Sequence, residues 1–227
     1  LEDVKHFKLK PDQPNIQQMD MFVRQDLLRL AEAVGKLRGD ALVRKTYLEY
    51  PFYATRSEAA PQMLSASEFE QVLAHKNTDS SPRLFTIGYE GISIDAYLSR
   101  LIAHNVKLLV DVRNNPISRK FGFSKNQLAL FTQTSQIAYV HLPELGIPST
   151  MRKNLKGTQA HQNLFNHYAN EMLPKQSETL ARLESLIDEH QRVALTCFEA
   201  SHQSCHRSKI TAHFENDPGF RTSIEHL

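Results

Sequence analysis

The chain has 227 residues, 41% hydrophobic and 23% charged, with a formal net charge of +2, which fits one large or two small globular domains. That charge excess is too small to indicate a nucleic-acid binder by itself. No apolar run approaches the ~18–20 residues of a membrane span, and two cysteines make no disulfide framework, so a reducing cytoplasm is expected.

The opening Leu1-Glu2-Asp3-Val4-Lys5 reads as neither a signal peptide nor an initiator start, which fits a trimmed or processed piece. Residues 1–80 read as a small helical module. Met19, Phe22, Val23, Leu27, Leu30, Ala31 and Val34 recur at helical spacing, with Gly39 as a stop. Asp40 is suited to cap a second helix, 41–50, closed by Pro51. Ser65 and Glu68 have capping-box spacing ahead of Phe69, Val72 and Leu73. Three short helices allow a winged-helix or helix-turn-helix relative, with Arg44, Lys45, Arg56, Tyr47, Tyr50 and Tyr53 against phosphates. The modest basic density favours a packing cap instead. Residues 77–82 are short, polar and closed by Pro82, and read as a linker.

From Leu84 the pattern changes to alternating strands and helices. Strands are expected at 84–89, 108–113, 138–142 and 193–199, with a last one at 221–227. Helices are expected at 93–104 behind Ser93, after Ser124, over 160–189 with a break near Pro174, and at 205–216. This alternation predicts an α/β domain over 83–227, Rossmann-like, with a mainly parallel sheet and helices on both faces.

Ligands of such sheets bind beyond the carboxyl ends of the strands. Here those ends carry Gly88-Tyr89-Glu90, Asp111-Val112-Arg113 and Cys197-Phe198-Glu199, with Cys205-His206-Arg207 six residues on. Asp111 and Arg113 share a face at i and i+2. They suit either a polar ligand or a strand-end ion pair that orders the loop through Asn114, Asn115, Arg119 and Lys120. Cys197 reads as a small buried hydrophobe. Cys205 falls at a helix start, where amides and the helix dipole lower a thiol's pKa, with His206 as base. His141 reads as a structural histidine. Catalytic candidates are therefore Asp111, Glu199, Cys205 and His206. Ligand-binding candidates are Tyr89, Glu90, Arg113, Asn114, Arg119 and Arg207.

Several signatures are absent. Gln203 and Thr211 stand where a thiol phosphatase following Cys197 or Cys205 would need Arg. There is no GxSxG, GxxxxGK[ST] or GxGxxG, and no CxxC or His-rich spacing for zinc. No metal ligand is assigned, and the cofactor stays open.

Thr86-Ile87-Gly88-Tyr89-Glu90-Gly91, Leu109-Val110-Asp111-Val112-Arg113, Tyr139-Val140-His141-Leu142-Pro143-Glu144-Leu145-Gly146 and Cys197-Phe198-Glu199 with Cys205-His206-Arg207 together resemble the DUF488 family over residues 83–227. The resemblance implies a single α/β domain. It makes Asp111, Arg113, Cys197, Glu199, Cys205, His206 and Arg207 signature positions. Ile147-Pro148 departs from the family's second glycine after Leu-Gly. The function expected is a hydrolase or group transferase acting on a nucleotide, nucleic acid or other phosphorylated ligand. The alternative is a non-catalytic nucleic-acid or ligand-binding module. Partners are then an anionic small molecule or nucleic acid, without a membrane, in an undetermined oligomeric state.

Overall fold

A computed structural model of the chain describes residue 17, residues 21–152 and residues 157–227. The chain divides into two compact units, Leu1–Thr46 and Tyr47–Leu227. In the first, helix α1 spans Met21–Val34. Met19 and the side chains of Phe22 and Val23 lie outside the described residues. The helix stops at Gly35 rather than Gly39. Gly35 has φ +58°, a left-handed conformation that closes helices, and its amide bonds to Ala31 O. Gly39 opens helix α2, Gly39–Glu49, with Asp40 in the first turn, where a carboxylate complements the helix dipole.

The second unit begins with short helices α3 (Pro51–Ala54), α4 (Ala60–Met63) and α5 (Ala66–Leu73) around Ala54, Ala60, Leu64 and Val72. Ser65 and Glu68 form the expected capping box: Ser65 Oγ accepts from Glu68 N, and Glu68 Oε2 accepts from Ser65 N. Arg56 donates to Ser135 O at 2.6 Å and Tyr53 OH to Asp95 O at 3.2 Å, so these two act in packing. The polar stretch 77–82 is pinned by Asn77 donating to Ala103 O and by Asp79 pairing with the buried Arg192 at 3.0 Å.

Five parallel strands follow: β1 (Arg83–Gly88), β2 (Leu108–Asp111), β3 (Ala138–His141), β4 (Arg192–Cys197) and β5 (Ser223–His226), in the order β3-β2-β4-β1-β5. The α/β prediction holds, with β5 shorter than the sequence suggested. Alternate residues feed two cores, as the period of a strand requires. Phe85, Ile87, Leu109 and Ala194 meet helices α6 (Ile94–Ala103) and α7 (Lys125–Thr134) through Tyr97, Leu98, Leu101 and Leu128. Leu84, Leu108, Val110, Val193 and Leu195 meet helices α8 (Gly157–His167), α9 (Ser177–His190) and α10 (Arg207–Glu215) through Leu164, Leu183, Ile187 and Ile210. Between α8 and α9 the backbone takes a π turn at Tyr168–Met172 and a 3-10 turn at Leu173–Gln176, the break predicted near Pro174. Ser93 caps α6 through Ala96 N. Ser124 makes no helix cap; its hydroxyl closes the preceding loop on Ser118 O and N instead.

The topology singles out β4. It lies between β1 and β2, whose chains leave toward α6 and α7 on one face, while its own chain leaves toward α10 on the other. Neighbouring strands whose connections part to opposite faces leave a crevice at their carboxyl ends. Among the described residues no helix is long and apolar enough to cross a membrane.

Candidate functional site

The crevice contains a cavity of about 290 Å³. Its wall takes Tyr89 from the end of β1, Arg113, Asn114 and Arg119 from beyond β2, Arg152 from beyond β3, and Cys197 and Phe198 from the end of β4. Two close backbone approaches build it. A Cβ on Gly88 would lie 1.9 Å from Glu199 O, and one on Gly146 2.0 Å from Asn114 N. Glycine at both positions lets the loops beyond neighbouring strands touch. The divergent Ile147-Pro148 does not open this loop. Ile147 is buried against the cavity, and Met151 N bonds to Pro148 O.

Asp111 and Arg113 form the floor as an ion pair. Arg113 Nε donates to Oδ1 at 2.8 Å and Nη2 to Oδ2 at 2.5 Å, while Tyr139 OH donates to Oδ2 at 2.7 Å. Arg113 Nη1 reaches Tyr89 OH and Phe123 O, both at 2.8 Å. Burial lowers the guanidinium's proton affinity, but the Asp111 carboxylate outweighs it and raises the pKa further. Asp111 is fully buried with both oxygens occupied, so it positions Arg113 and Tyr139 rather than facing a ligand. His141 is likewise structural, bonded to Arg113 O at 2.8 Å.

The loop beyond β2 is held without closing over the cavity. Asn114 donates to Pro143 O, Lys120 to Tyr89 O at 2.8 Å, and Lys125 N to Pro116 O. Arg119 is exposed and makes no ion pair among the described residues. Arg152 lies opposite, 3.7 Å from Glu199. Arg119, Arg152, Asn114, Asn115, Ser118 and Ser149 thus present cations and polar side chains, while Ile117 and Phe198 are exposed at the mouth.

The thiols meet behind this cavity. His206 Nδ1 lies 3.8 Å from Cys197 Sγ and 3.7 Å from Cys205 Sγ, and its Nε2 bonds to Val112 O at 3.0 Å. Arg207, fully buried, donates through Nε to Cys205 Sγ at 3.2 Å and through Nη2 to Glu199 O. Burial raises the Cys205 thiol's pKa, but hydrogen bonding from Cys197 and the charges of His206 and Arg207 bring it well below the usual value. Cys197 moves the opposite way, raised by its bond to Cys205, by burial and by Glu199. Burial and the nearby Cys205 raise Glu199 as well, and among the described residues its buried Oε2 has no hydrogen-bond partner.

The structure therefore gathers Glu199, Cys205, His206 and Arg207 in one cluster. Cys205 precedes α10 instead of beginning it, and Arg207 is sealed away from any ligand. Cys197, read from sequence as core packing, is buried and also lines the cavity. Glu90 accepts from Ala200 N and, with Glu199, faces a separate hollow of about 770 Å³ beside α8. Sequence reasoning missed Ser149 and Arg152. They follow β3, whose carboxyl end belongs to the same rim, and that position is the signal that finds them.

A family model described as a domain of unknown function, DUF488, matches residues 93–214. No curated protein and no solved structure matches the chain.

Proposed function

The chain belongs to the DUF488 family, and from that premise we propose that it is a hydrolase or group transferase acting on a phosphorylated ligand in the rim cavity. A nucleotide or nucleic acid is the favoured class. One observation carries this reading: the cavity joins the exposed cation of Arg119 to the wall formed by Cys197, behind which Cys205 and His206 lie. Guanidinium groups suit phosphate oxygens because they are planar and permanently charged. At about 290 Å³ the cavity is near the lower limit of ligand clefts, ~300 Å³, and so admits a phosphate with a small substituent. The remainder of the ligand would lie over Ile117 and Phe198, whose exposed faces support stacking or apolar contact. Cys197 is the thiol on the cavity wall, and behind it burial and the nearby Cys205 raise the pKa of Glu199 while Cys205 itself is held low, so this pair is suited to hold and release a proton. Two free cysteines support a reducing compartment such as the cytoplasm.

The test is calorimetric titration with inorganic phosphate and nucleoside monophosphates, followed by product analysis. Arg119→Ala is expected to weaken binding by about 10-fold or more, the loss of a charge-assisted contact of ~1.5–3 kcal/mol. Equal binding by parent and variant refutes the cavity. Binding without turnover identifies the non-catalytic module.

A further inference from the structure

We propose that Cys197, Cys205 and His206 are ligands of a tetrahedral, zinc-class divalent metal ion. The proposal stands apart from the proposed activity. Zinc bonds of ~2.3 Å to sulfur and ~2.0–2.1 Å to nitrogen place sulfur and nitrogen about 3.6 Å apart across a tetrahedral edge, and two sulfurs about 3.8 Å apart. The observed Sγ to Nδ1 distances are 3.7 and 3.8 Å, and all three donor atoms lie within 4.8 Å of one another.

The surroundings match those of a ligating set. Val112 O accepts from His206 Nε2, which fixes the proton there and leaves the Nδ1 lone pair facing both sulfurs. Arg207 Nε donates to Cys205 Sγ, an outer contact that stabilises a coordinated thiolate. Tyr168 stacks edge-on against the imidazole at 5.5 Å and holds its ring plane. All three donors are buried, so water competes little for the ion.

Glu199 does not join the cluster of mutually close donors, so the protein supplies three ligands. The fourth position belongs on the side of Cys197, the ligand that lines the cavity. Three protein ligands and one open position are the arrangement of catalytic rather than structural zinc. Binding is charge-balanced by release of the thiol protons as both sulfurs become thiolates.

The full chain, reduced and stripped with a chelator, is titrated with Co²⁺. The expected result is saturation at one equivalent, with a thiolate-to-cobalt charge-transfer band in the near ultraviolet that Zn²⁺ displaces. The chain has only two cysteines, so the band needs no variant for its assignment. His206→Gln should lose most of the band at the same Co²⁺ concentration. If that variant fails to fold, the parent titration decides alone. Absence of the band in folded parent protein with both thiols reduced overturns the proposal, as does a band undiminished in folded His206→Gln.

Discussion

Asp111→Asn tests whether the floor of the cavity is an ion pair that holds the site together. Four contacts converge on this carboxylate: Arg113 N at 3.1 Å, Nε at 2.8 Å and Nη2 at 2.5 Å, and Tyr139 OH at 2.7 Å. An asparagine keeps the shape but sets an NH₂ against donors on one side, and it leaves the Arg113 charge, 5% exposed, without a counter-charge. Removing one partner of a buried pair costs about 3–5 kcal/mol. At ~2–4 °C per kcal/mol for a domain of this size, the melting temperature should fall by about 6–20 °C. Circular dichroism during thermal and urea unfolding reads this directly. Replacing both partners, as Asp111→Leu with Arg113→Met, should recover most of the loss, because apolar isosteres need no charge compensation. An Asp111→Asn protein within about 1 kcal/mol of the parent would refute the argument. Arg113 would then be solvated or paired elsewhere, and the cavity floor would have another basis.

Gly88→Ala should destabilise the chain by at least ~1–3 kcal/mol, because the new Cβ would sit 1.9 Å from Glu199 O and both obstructing groups are backbone. A melting temperature equal to the parent's would show that the β1 and β4 loops do not touch there. Asp79 is held down to about 2, first by hydrogen bonds from Ser81 and then by Arg192. Its folded value is depressed, so its contribution is complete above about pH 4 and is lost as pH falls toward 2. Asp79→Asn should flatten that part of an acid titration followed by circular dichroism, and an unchanged acid limb would remove Asp79 from the account.

Much of this was legible in the chain. Continuous apolar runs ending in polar knots gave the strands and the rim, because burial on both faces and termination at a ligand edge both leave marks in sequence. The rest depended on distance across the fold. Gly35 and Gly39 are equally plausible stops until the backbone shows which one ends α1. Ser124 has the identity of a helix cap, yet Ser118, six residues earlier, offers its hydroxyl better partners. The thiol cluster escaped a spacing search because Cys197 leaves a strand and Cys205 returns after a loop. Their separation follows the loop's length, whereas a CxxC spacing is set by a local turn. Asp111 and Arg207 showed the right chemistry, but only packing reveals that they are sealed.

The placement of β4 divides the work of the site. Its end is clamped by ladders on both sides, Cys197 paired to Gly88 of β1 and the preceding Thr196 to Asp111 of β2, so Cys197 is held in place by its neighbours. The cations and the exposed Ile117 instead come from peripheral loops beyond β2 and β3. Those loops can be exchanged for others of different reach while the reactive group stays fixed. A scaffold built this way separates the choice of ligand from the chemistry performed on it, and engineering new recognition would begin at 114–124 and 147–152 with the central strand left intact.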